Sequence, residues 1–197
     1  MKITDIKQQV KNQSRFSVFV DEKYKFSLSQ SGILDTGVKV GKEITQQELD
    51  ALVDESISDK AYNGAISLIV RRKRSEWEMQ EYLKRKDLAP ELIQDIVSKL
   101  KTYNLLDDSD FAKSWVENRR LLKSTSKRRL QQELRAKRVS DDIIQKTLAN
   151  DETDEKEVLR NLVERKKKQT RYQDPQKLMA YLIRQGFDYS DVKEVLN

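Results

Sequence analysis

A pattern of hydrophobic and polar positions occurs three times along the chain, about fifty residues apart, between residue 75 and the C-terminus. Each copy begins with a residue whose side-chain oxygen can cap a helix, namely Ser75, Ser126 or Asp174. Apolar residues follow at intervals of three to five positions, as one face of a helix requires. The second helix of each pair is expected to begin after a cap-like position, at Ala89, Ser140 and Asp188.

An amphipathic stretch precedes each helix pair, over residues 60–73, 110–123 and 154–168. Residues that can cap these stretches come just before them: Ser58 and Asp59, then residues 107–110, then Thr153. The predicted fold is therefore mostly α. Three tandem three-helix repeats are expected to form an elongated curved rod, preceded by a small N-terminal β-hairpin and helix module. The predicted boundaries are 1–58 for the module and 59–106, 107–152 and 153–197 for the repeats.

The N-terminal segment alternates apolar and polar residues on both sides of a short polar turn at residues 21–23. Apolar residues occupy every second position over 16–20 and again over 24–28. This period of two predicts a β-hairpin, and residues 3–10 are a candidate third strand.

Three glycines and a capping box organise the rest of the module. Gly32, Gly37 and Gly41 predict a loop that contains a short strand at residues 38–40. The spacing of Thr45 and Glu48 is that of a capping box, which predicts a helix running to about Ile57.

The composition favours helices and excludes several chemistries. Charged residues make up 37% of the 197 positions, with only 5 Gly and 2 Pro. The absence of Cys and His excludes disulfides, thiolate chemistry, structural zinc sites and imidazole catalysis. No apolar run is long enough for a membrane span or a signal peptide, so the expected location is cytoplasmic. We expect no metal and no cofactor.

The net charge of +6 is unevenly distributed. Residues 1–60 hold nine Lys/Arg and ten Asp/Glu, net −1, whereas residues 61–197 hold thirty and twenty-three, net +7. Basic residues cluster near the end of the first helix of each repeat and on the second helix. These candidate binding residues are Arg71, Arg72, Lys73, Arg74, Lys84, Arg85, Lys86, Arg119, Arg120, Lys123, Lys127, Arg128, Arg129, Arg135, Lys137, Arg138, Arg165, Lys166, Lys167, Lys168 and Arg171.

Two explanations compete for these clusters. Cations near a helix C-terminus complement the helix dipole, and a basic surface also keeps a protein soluble. One or two cations would satisfy the dipole, however, and consecutive basic residues repel one another. The clusters are therefore interpreted as sites for an anionic partner, with Arg suited to bidentate contact with phosphate or carboxylate.

Other residues that invite a chemical role have simpler explanations. Trp77 and Trp115 resemble base-stacking residues, but Trp115 follows Phe111 by four positions and is expected to pack in a core. The acidic pairs 107–108 and 141–142 are expected to cap helices rather than to act as acid and base. The sequence holds no phosphate-binding loop, nucleophile elbow or metal-ligand cluster, so we expect a binding protein and not an enzyme.

Residues 61–196 resemble the RecX family, bacterial regulators of the RecA recombinase. The most specific matches lie at residues 65–83, 105–119 and 182–187. In the middle match, a Leu-Asp-Asp turn ending at Asp108 is followed by Phe111-Ala112 and Trp115. Arg15-Phe16 and the neighbouring hairpin resemble an extension found on longer members.

One departure from the family pattern concerns glycine. The family usually has Gly after the second helix of each repeat, as a left-handed cap. Here Asp87 and Arg138 stand at the first two of these positions, and only Gly186 remains.

The resemblance implies a modulator, usually an inhibitor, of RecA that acts in recombination, DNA repair and the SOS response. It implies binding along the groove of the RecA–DNA filament, which would obstruct filament extension and lower ATP hydrolysis and strand exchange. We expect the protein to be a monomer that binds single- or double-stranded DNA weakly, without sequence preference, and that does not contact membranes.

A DNA-binding protein that acts directly on nucleic acid is the alternative, because three-helix units with a basic helix resemble helix-turn-helix modules. Sequence readers concentrate their base-contacting residues on one recognition helix. The basic residues here are spread through all three repeats, which favours contact with a filament or with a phosphate backbone.

Overall fold

The computed structural model describes residues 1–196; Asn197, the last residue of the predicted third repeat, lies outside them. The chain is mostly α, as predicted. Within residues 1–196, three strands, β1 (Ile3–Gln8), β2 (Arg15–Val20) and β3 (Lys23–Ser29), precede ten α-helices, and a short 3-10 helix (Thr170–Tyr172) lies before the ninth of them. The helices are α1 (Gln30–Thr36), α2 (Gln46–Arg71), α3 (Glu76–Lys84), α4 (Pro90–Thr102), α5 (Asp108–Lys123), α6 (Lys127–Ala136), α7 (Asp141–Ala149), α8 (Glu155–Lys167), α9 (Pro175–Arg184) and α10 (Tyr189–Leu196).

The described residues form two compact units. One unit holds Met1–Arg72 and Gln80–Leu105, and the other holds Lys73–Met79 and the chain from Leu106 onward. The N-terminal module therefore shares a unit with most of the first predicted repeat. Within the described residues no helix is long and apolar enough to cross a lipid bilayer.

The predicted hairpin and third strand are confirmed as an antiparallel sheet in the order β1-β2-β3. Asp21 and Glu22 form the turn between β2 and β3, and both have positive φ, 47° and 66°. Two left-handed residues give a turn whose twist matches that of the paired strands. The alternate residues Val18, Val20 and Leu28 then lie buried in a core shared with the start of α2.

The loop predicted around Gly32 is wrong in part, because residues 30–36 form α1. The side chain of Ser29 accepts a hydrogen bond from the backbone N–H of Gly32, and Gly37 ends the helix with φ at 62°. The predicted strand at residues 38–40 is also wrong. Val38 points into the core, and the chain turns at Gly41, whose φ is 91° and whose N–H donates to the carbonyl of Ile3.

The capping box is confirmed, but the predicted helix end near Ile57 is wrong. Thr45 and Glu48 exchange the two capping hydrogen bonds, and α2 then continues without a break to Arg71. The predicted boundary between residues 58 and 59 thus lies within a helix. Asp59 does not cap a new helix, because its carboxylate is buried and used elsewhere.

The carboxylate of Asp59 forms an ion pair with the guanidinium of Arg15, at 2.7 Å, and both side chains are under 10% exposed. Arg15 also donates to the carbonyl oxygen of Ser27, and Asp59 accepts from the backbone N–H of Ser29 at 2.9 Å. Ser56 donates a further hydrogen bond to the carbonyl of Ser27. The outer edge of β3 is thereby paired with side chains from β2 and α2, and the charges are compensated.

The second and third repeats each have their own hydrophobic core. Phe111, Leu130 and Ile144 represent the cluster among α5, α6 and α7. Leu159 and Leu182 represent the equivalent cluster among α8, α9 and α10. The predicted repeat pattern is confirmed in these elements, although α8 is capped by Asp154 rather than by Thr153, whose hydroxyl donates to Asp151.

The helix-capping serines also form two equivalent junctions in the second unit. Ser75 accepts from the backbone N–H of Glu78 and donates to the carbonyl of Lys137, at 3.1 Å. Ser126 accepts from the N–H of Arg129 and donates to the carbonyl of Gln185, at 2.5 Å. Both serines are fully buried. One hydroxyl thus caps one helix and holds the C-terminal end of another.

The next backbone N–H groups are bound in the same way at both junctions. The N–H of Glu76 donates to the carboxylate of Asp108 at 2.7 Å, and that of Lys127 donates to Glu155 at the same distance. Each acceptor residue is the first residue of a helix, and that helix is the first one of the next repeat. The junctions are therefore built on a common hydrogen-bond pattern.

The three residues aligned with the family's cap glycines share a left-handed backbone. The φ angles are 54° at Asp87, 57° at Arg138 and 92° at Gly186. The predicted equivalence of these positions is confirmed. Asp and Arg carry a Cβ that is disfavoured in this region, whereas Gly adopts it freely.

Replacing Asp59 by Ala should lower the free energy of unfolding by about 3–5 kcal/mol, because Arg15 would remain charged and buried without its partner. The double variant Arg15→Met/Asp59→Leu should lose less than this single variant, since it removes both charges. Urea denaturation followed by circular dichroism measures both effects. A single variant with the wild-type midpoint would show that the pair does not hold the sheet to α2.

Replacing Arg138 by Gly should raise the unfolding free energy by about 1 kcal/mol, because strain at the left-handed position is relieved. Gly186→Ala should act in the opposite direction, since its Cβ would lie 2.8 Å from the Oγ of Ser126. Thermal and urea melts of the two variants would be compared. Destabilisation by Arg138→Gly would contradict the strain argument.

Candidate functional site

The basic clusters lie at helix ends, where the sequence pattern placed them. Arg71 is the last residue of α2, Arg120 and Lys123 lie in the last turn of α5, and Arg165 and Lys166 lie in the last turn of α8. The helix dipole favours cations at these C-terminal positions. Position alone therefore does not distinguish a ligand-binding role from a stabilising one.

The basic residues of α6 lie at the opposite end of their helix. Lys127, Arg128 and Arg129 occupy its first turn, which contains no acidic residue. Cations are disfavoured there, because the N-terminus is the positive end of the dipole. Helix stability therefore does not explain this cluster, although carboxylates within the chain meet part of it: Glu155 accepts from the N–H of Lys127, and Glu133 lies 3.7 Å from Arg129.

Arg120, a candidate binding residue, does not lie on the solvent face. Its side chain is 8% exposed, and its guanidinium binds Asp151 at 2.8 Å and Glu155 at 2.9 Å. It also donates to the carbonyl of Thr125 at 2.7 Å. Arg120 thus joins the end of α5 to the start of α8, and its donors are used within the chain.

Asp151 is the main partner of Arg120, and its ionisation is altered. Burial disfavours its charged form, but hydrogen bonds from Thr153 and Arg120 outweigh burial and hold the pKa of Asp151 below its ordinary value. The carboxylate therefore stays charged to a lower pH than that of an ordinary Asp.

Arg119 and Lys137 are also used within the chain. The guanidinium of Arg119 binds Glu133 at 2.6 Å and lies 4.4 Å from the ring centroid of Trp115. The ammonium of Lys137 binds Glu78 at 2.5 Å and lies 5.4 Å from the same centroid. The indole N–H donates to Glu133, and the ring packs on the core of the second repeat. The predicted packing role of Trp115 is confirmed.

Four other candidate residues meet in a cleft of about 400 Å³ in the second unit. Lys123 lies at the end of α5, Arg129 on α6, and Arg165 and Lys166 on α8. Arg165 donates to the carbonyl of Lys123 at 3.0 Å, which fixes the guanidinium at the rim. The folding of two repeats therefore brings together distant cations, such as Lys123 and Arg165, which lie 42 residues apart in the sequence.

The cleft has a net positive charge. Among the described residues that line it, Glu133 is the one carboxylate, and it is already paired with Arg119 and, at 3.7 Å, with Arg129. The ammonium of Lys166 lies 5.0 Å from the ring centroid of Tyr181, which holds it over the cleft wall. This arrangement can bind phosphate or carboxylate groups; it does not assemble a nucleophile with a base.

Two apolar residues beside the cleft escaped the sequence analysis. Leu121 is 82% exposed and Leu122 is 65% exposed, next to Lys123. Val70, beside Arg71 at the end of α2, is 80% exposed. The sequence could have revealed these residues, because they are apolar, lie off the buried face of their helices and stand next to cations.

The remaining candidates do not join the cleft. Lys84 pairs with Glu81 and Arg135 pairs with Asp141, in each case between exposed side chains. Other candidates lie elsewhere on the surface of their own unit; exposed examples are Arg71, Arg72, Lys73, Arg85, Lys86, Lys127, Arg128, Arg138, Lys167, Lys168 and Arg171, and Arg74 is half-buried. Their role in binding stays a prediction.

Family models match the chain over almost its whole length. The Regulatory protein RecX N-terminal domain matches residues 1–45. The first, second and third three-helix domains of RecX match residues 61–100, 107–148 and 153–196. The four matches follow one another in the order that the repeats predict.

Similar proteins cover the chain from end to end. A Regulatory protein RecX of Caldanaerobacter subterraneus subsp. tengcongensis is 34% identical over 100% of this chain and 99% of its own length. One of Bacillus velezensis is 33% identical over 98% of this chain and 76% of its own. A crystal structure of regulatory protein RecX shares the fold, with a TM-score of 0.70 at 24% identity and 98% coverage of each chain.

Replacing Asp151 by Asn should destabilise the protein at neutral pH, because Arg120 loses its main charged partner. In the wild type, the lowered pKa contributes stability above about pH 4 that is lost as the pH falls through the folded-state pKa. The difference in unfolding free energy between wild type and variant should therefore be constant at neutral pH and shrink as the pH falls below the ordinary pKa of Asp.

Urea melts across this pH range test the expectation. Asp95→Asn provides a matched control, because Asp95 is exposed on α4. A difference between wild type and Asp151→Asn that does not change with pH would show that the charge of Asp151 contributes nothing to folding.

Proposed function

Because the chain belongs to the RecX family of regulatory proteins, we propose that it regulates the RecA recombinase by binding along the groove of the RecA–DNA filament. Binding there obstructs filament extension and lowers ATP hydrolysis and strand exchange. The regulator itself carries out no chemistry. It acts in the cytoplasm, in recombination and DNA repair.

The observation that carries this proposal is the positively charged cleft of the second unit. Lys123, Arg129, Arg165 and Lys166 surround it, and its one carboxylate is already neutralised. We expect the groove of a protein–DNA filament to present phosphates together with acidic side chains. Cations held in a concave surface attract both, and they do so without reading a base sequence.

The first turn of α6 supports the same conclusion. Lys127 and Arg128 are exposed at the positive end of a helix dipole, which favours an anion nearby. A phosphate or carboxylate that binds here would relieve the mutual repulsion of these residues. An anion bound here is therefore expected to stabilise this end of α6 further.

Exposed apolar residues beside the cations favour a protein partner over bare DNA. Leu121 and Leu122 flank Lys123, and a phosphate backbone offers little apolar surface to cover them. The filament offers protein and DNA together. Weak, salt-dependent binding to DNA alone is expected from the cations, and the apolar contacts add affinity for the filament.

Charge reversal in the cleft tests the proposal. The variant Lys123→Glu/Arg129→Glu should weaken filament binding at least tenfold, about 1.4 kcal/mol, because each change removes an attraction and adds a repulsion. Binding would be measured by fluorescence anisotropy on RecA assembled on single-stranded DNA. The effect on RecA activity would be measured as ATP hydrolysis on the same filament.

Lys113→Glu/Lys146→Glu makes the same change in net charge at exposed positions outside the cleft, and it should leave binding unchanged. Thermal melts establish that both variants are folded. A cleft variant that melts normally and still inhibits at wild-type concentrations would refute the proposal. Preference for a defined DNA duplex of more than about a thousandfold over random DNA would instead support the direct DNA-binding alternative.

A further inference from the structure

A groove of about 590 Å³ lies in the first unit, away from the basic cleft. Its walls come from three places: the end of the β1–β2 loop at Asn12 and Ser14, the middle of α2 from Ile57 to Ser67, and the segment from Tyr82 to Leu88. The lining is mainly apolar, and two exposed lysines, Lys60 and Lys86, stand at its edge.

The backbone of this segment matches the two junctions of the second unit. The N–H of Lys86 donates to the carbonyl of Leu83 at 2.9 Å, and left-handed Asp87 follows. Lys137 donates in the same way to Leu134 at 3.0 Å, and Gln185 donates to Leu182 at 3.0 Å. Lys86 is therefore the counterpart of the residues whose carbonyls accept from the junction serines.

The counterparts of Lys86 are covered by the start of a helix. The hydroxyl of Ser75 reaches the carbonyl of Lys137, and Glu78, three residues later, binds the ammonium of Lys137. Ser126 reaches the carbonyl of Gln185. Within residues 1–196, the ammonium of Lys86 forms no ion pair with a carboxylate; it lies 5.4 Å from the ring of Tyr82.

From this repetition we infer that the groove is a docking site for a partner protein's helix that begins with the pattern Ser/Thr-x-x-Glu. The capping hydroxyl of that helix donates to the carbonyl of Lys86, as Ser75 does to Lys137. Its Glu binds the ammonium of Lys86, as Glu78 binds that of Lys137. Ile57, Leu88 and Tyr82 supply an apolar wall for the partner helix, between its Ser/Thr and its Glu.

The helix starts within this chain do not fit the groove of a second copy. Ser75 and Ser126 are fully buried in their own junctions. Asp174 opens the corresponding helix of the third repeat, and a carboxylate cannot donate to a carbonyl. Glu48 after Thr45 is held in its own capping box. The occupant is therefore another protein, and the charge of Lys60 and Lys86 favours an acidic one.

A synthetic peptide with the sequence of residues 75–84 of this chain, labelled at its C-terminus, serves as the probe. It carries the Ser-x-x-Glu start and an excess of acidic residues. Titrated with the full-length protein, it should show saturable anisotropy with micromolar affinity. The protein variant Lys86→Glu should weaken binding at least tenfold, and a peptide with Glu78→Lys should restore it.

Lys84→Glu is the matched control, since Lys84 is exposed two residues before Lys86 and does not line the groove. Ile57→Glu, at a wall position 45% exposed, provides a second disabling variant. Absence of saturable binding up to about 1 mM, or equal binding by wild type and Lys86→Glu, would overturn the inference. Dimerisation through the groove in sedimentation experiments would overturn it in favour of a second copy.

This outcome is independent of the regulatory proposal. Ile57→Glu changes none of the candidate cations and leaves the cleft of the second unit intact, so filament inhibition should persist when peptide binding is lost. Conversely, Lys123→Glu/Arg129→Glu should bind the peptide normally. The two experiments therefore fail separately.

Discussion

The buried ion pair between Arg15 and Asp59 is the constraint that organises the first unit. A charge in a core is tolerated only when its hydrogen-bonding groups are satisfied, so neither residue can shift without cost. Asp59 also accepts from the N–H of Ser29, and Arg15 donates to the carbonyl of Ser27. The pair consequently sets the register of α2 against β3 and protects a strand edge that would otherwise be open.

The second unit relies on shared hydroxyls where the first relies on charge. Ser75 and Ser126 each serve two helices, and an Ala at either position would leave an N–H and a carbonyl unpaired together. Ion pairs near these junctions also fix how neighbouring helices are oriented. The clearest case is Arg120, which lies between Asp151 and Glu155. These contacts occupy several of the candidate cations. The cations of the cleft are others: Lys123, Arg129, Arg165 and Lys166.

Local signals in the sequence predicted the repeats, the hairpin and the capping box, because each depends on neighbouring residues. The left-handed positions at Asp87 and Arg138 were expected from the glycine pattern of the family that the chain resembles. Tertiary contacts decided what was missed. Nothing near Asp59 in the sequence shows that its carboxylate would pair with Arg15, 44 residues earlier. Without that partner, the burial of Asp59 within a continuous helix could not be predicted. Likewise, Arg120 looked like a surface cation because its partner Asp151 lies 31 residues ahead. The cleft arises only when two repeats fold together.

The unbroken α2 has a consequence for how a gene of this kind can change. Its first turns, around Leu49, belong to the core of the sheet, and its later turns, from Ala61 on, belong to the first three-helix domain. Because the sheet and the first three-helix domain share one helix, the sheet is not an independent module that can be added or removed alone. Deleting residues 1–45 would leave Asp59 charged on a face shaped for Arg15, so such a deletion would require changes on that face as well.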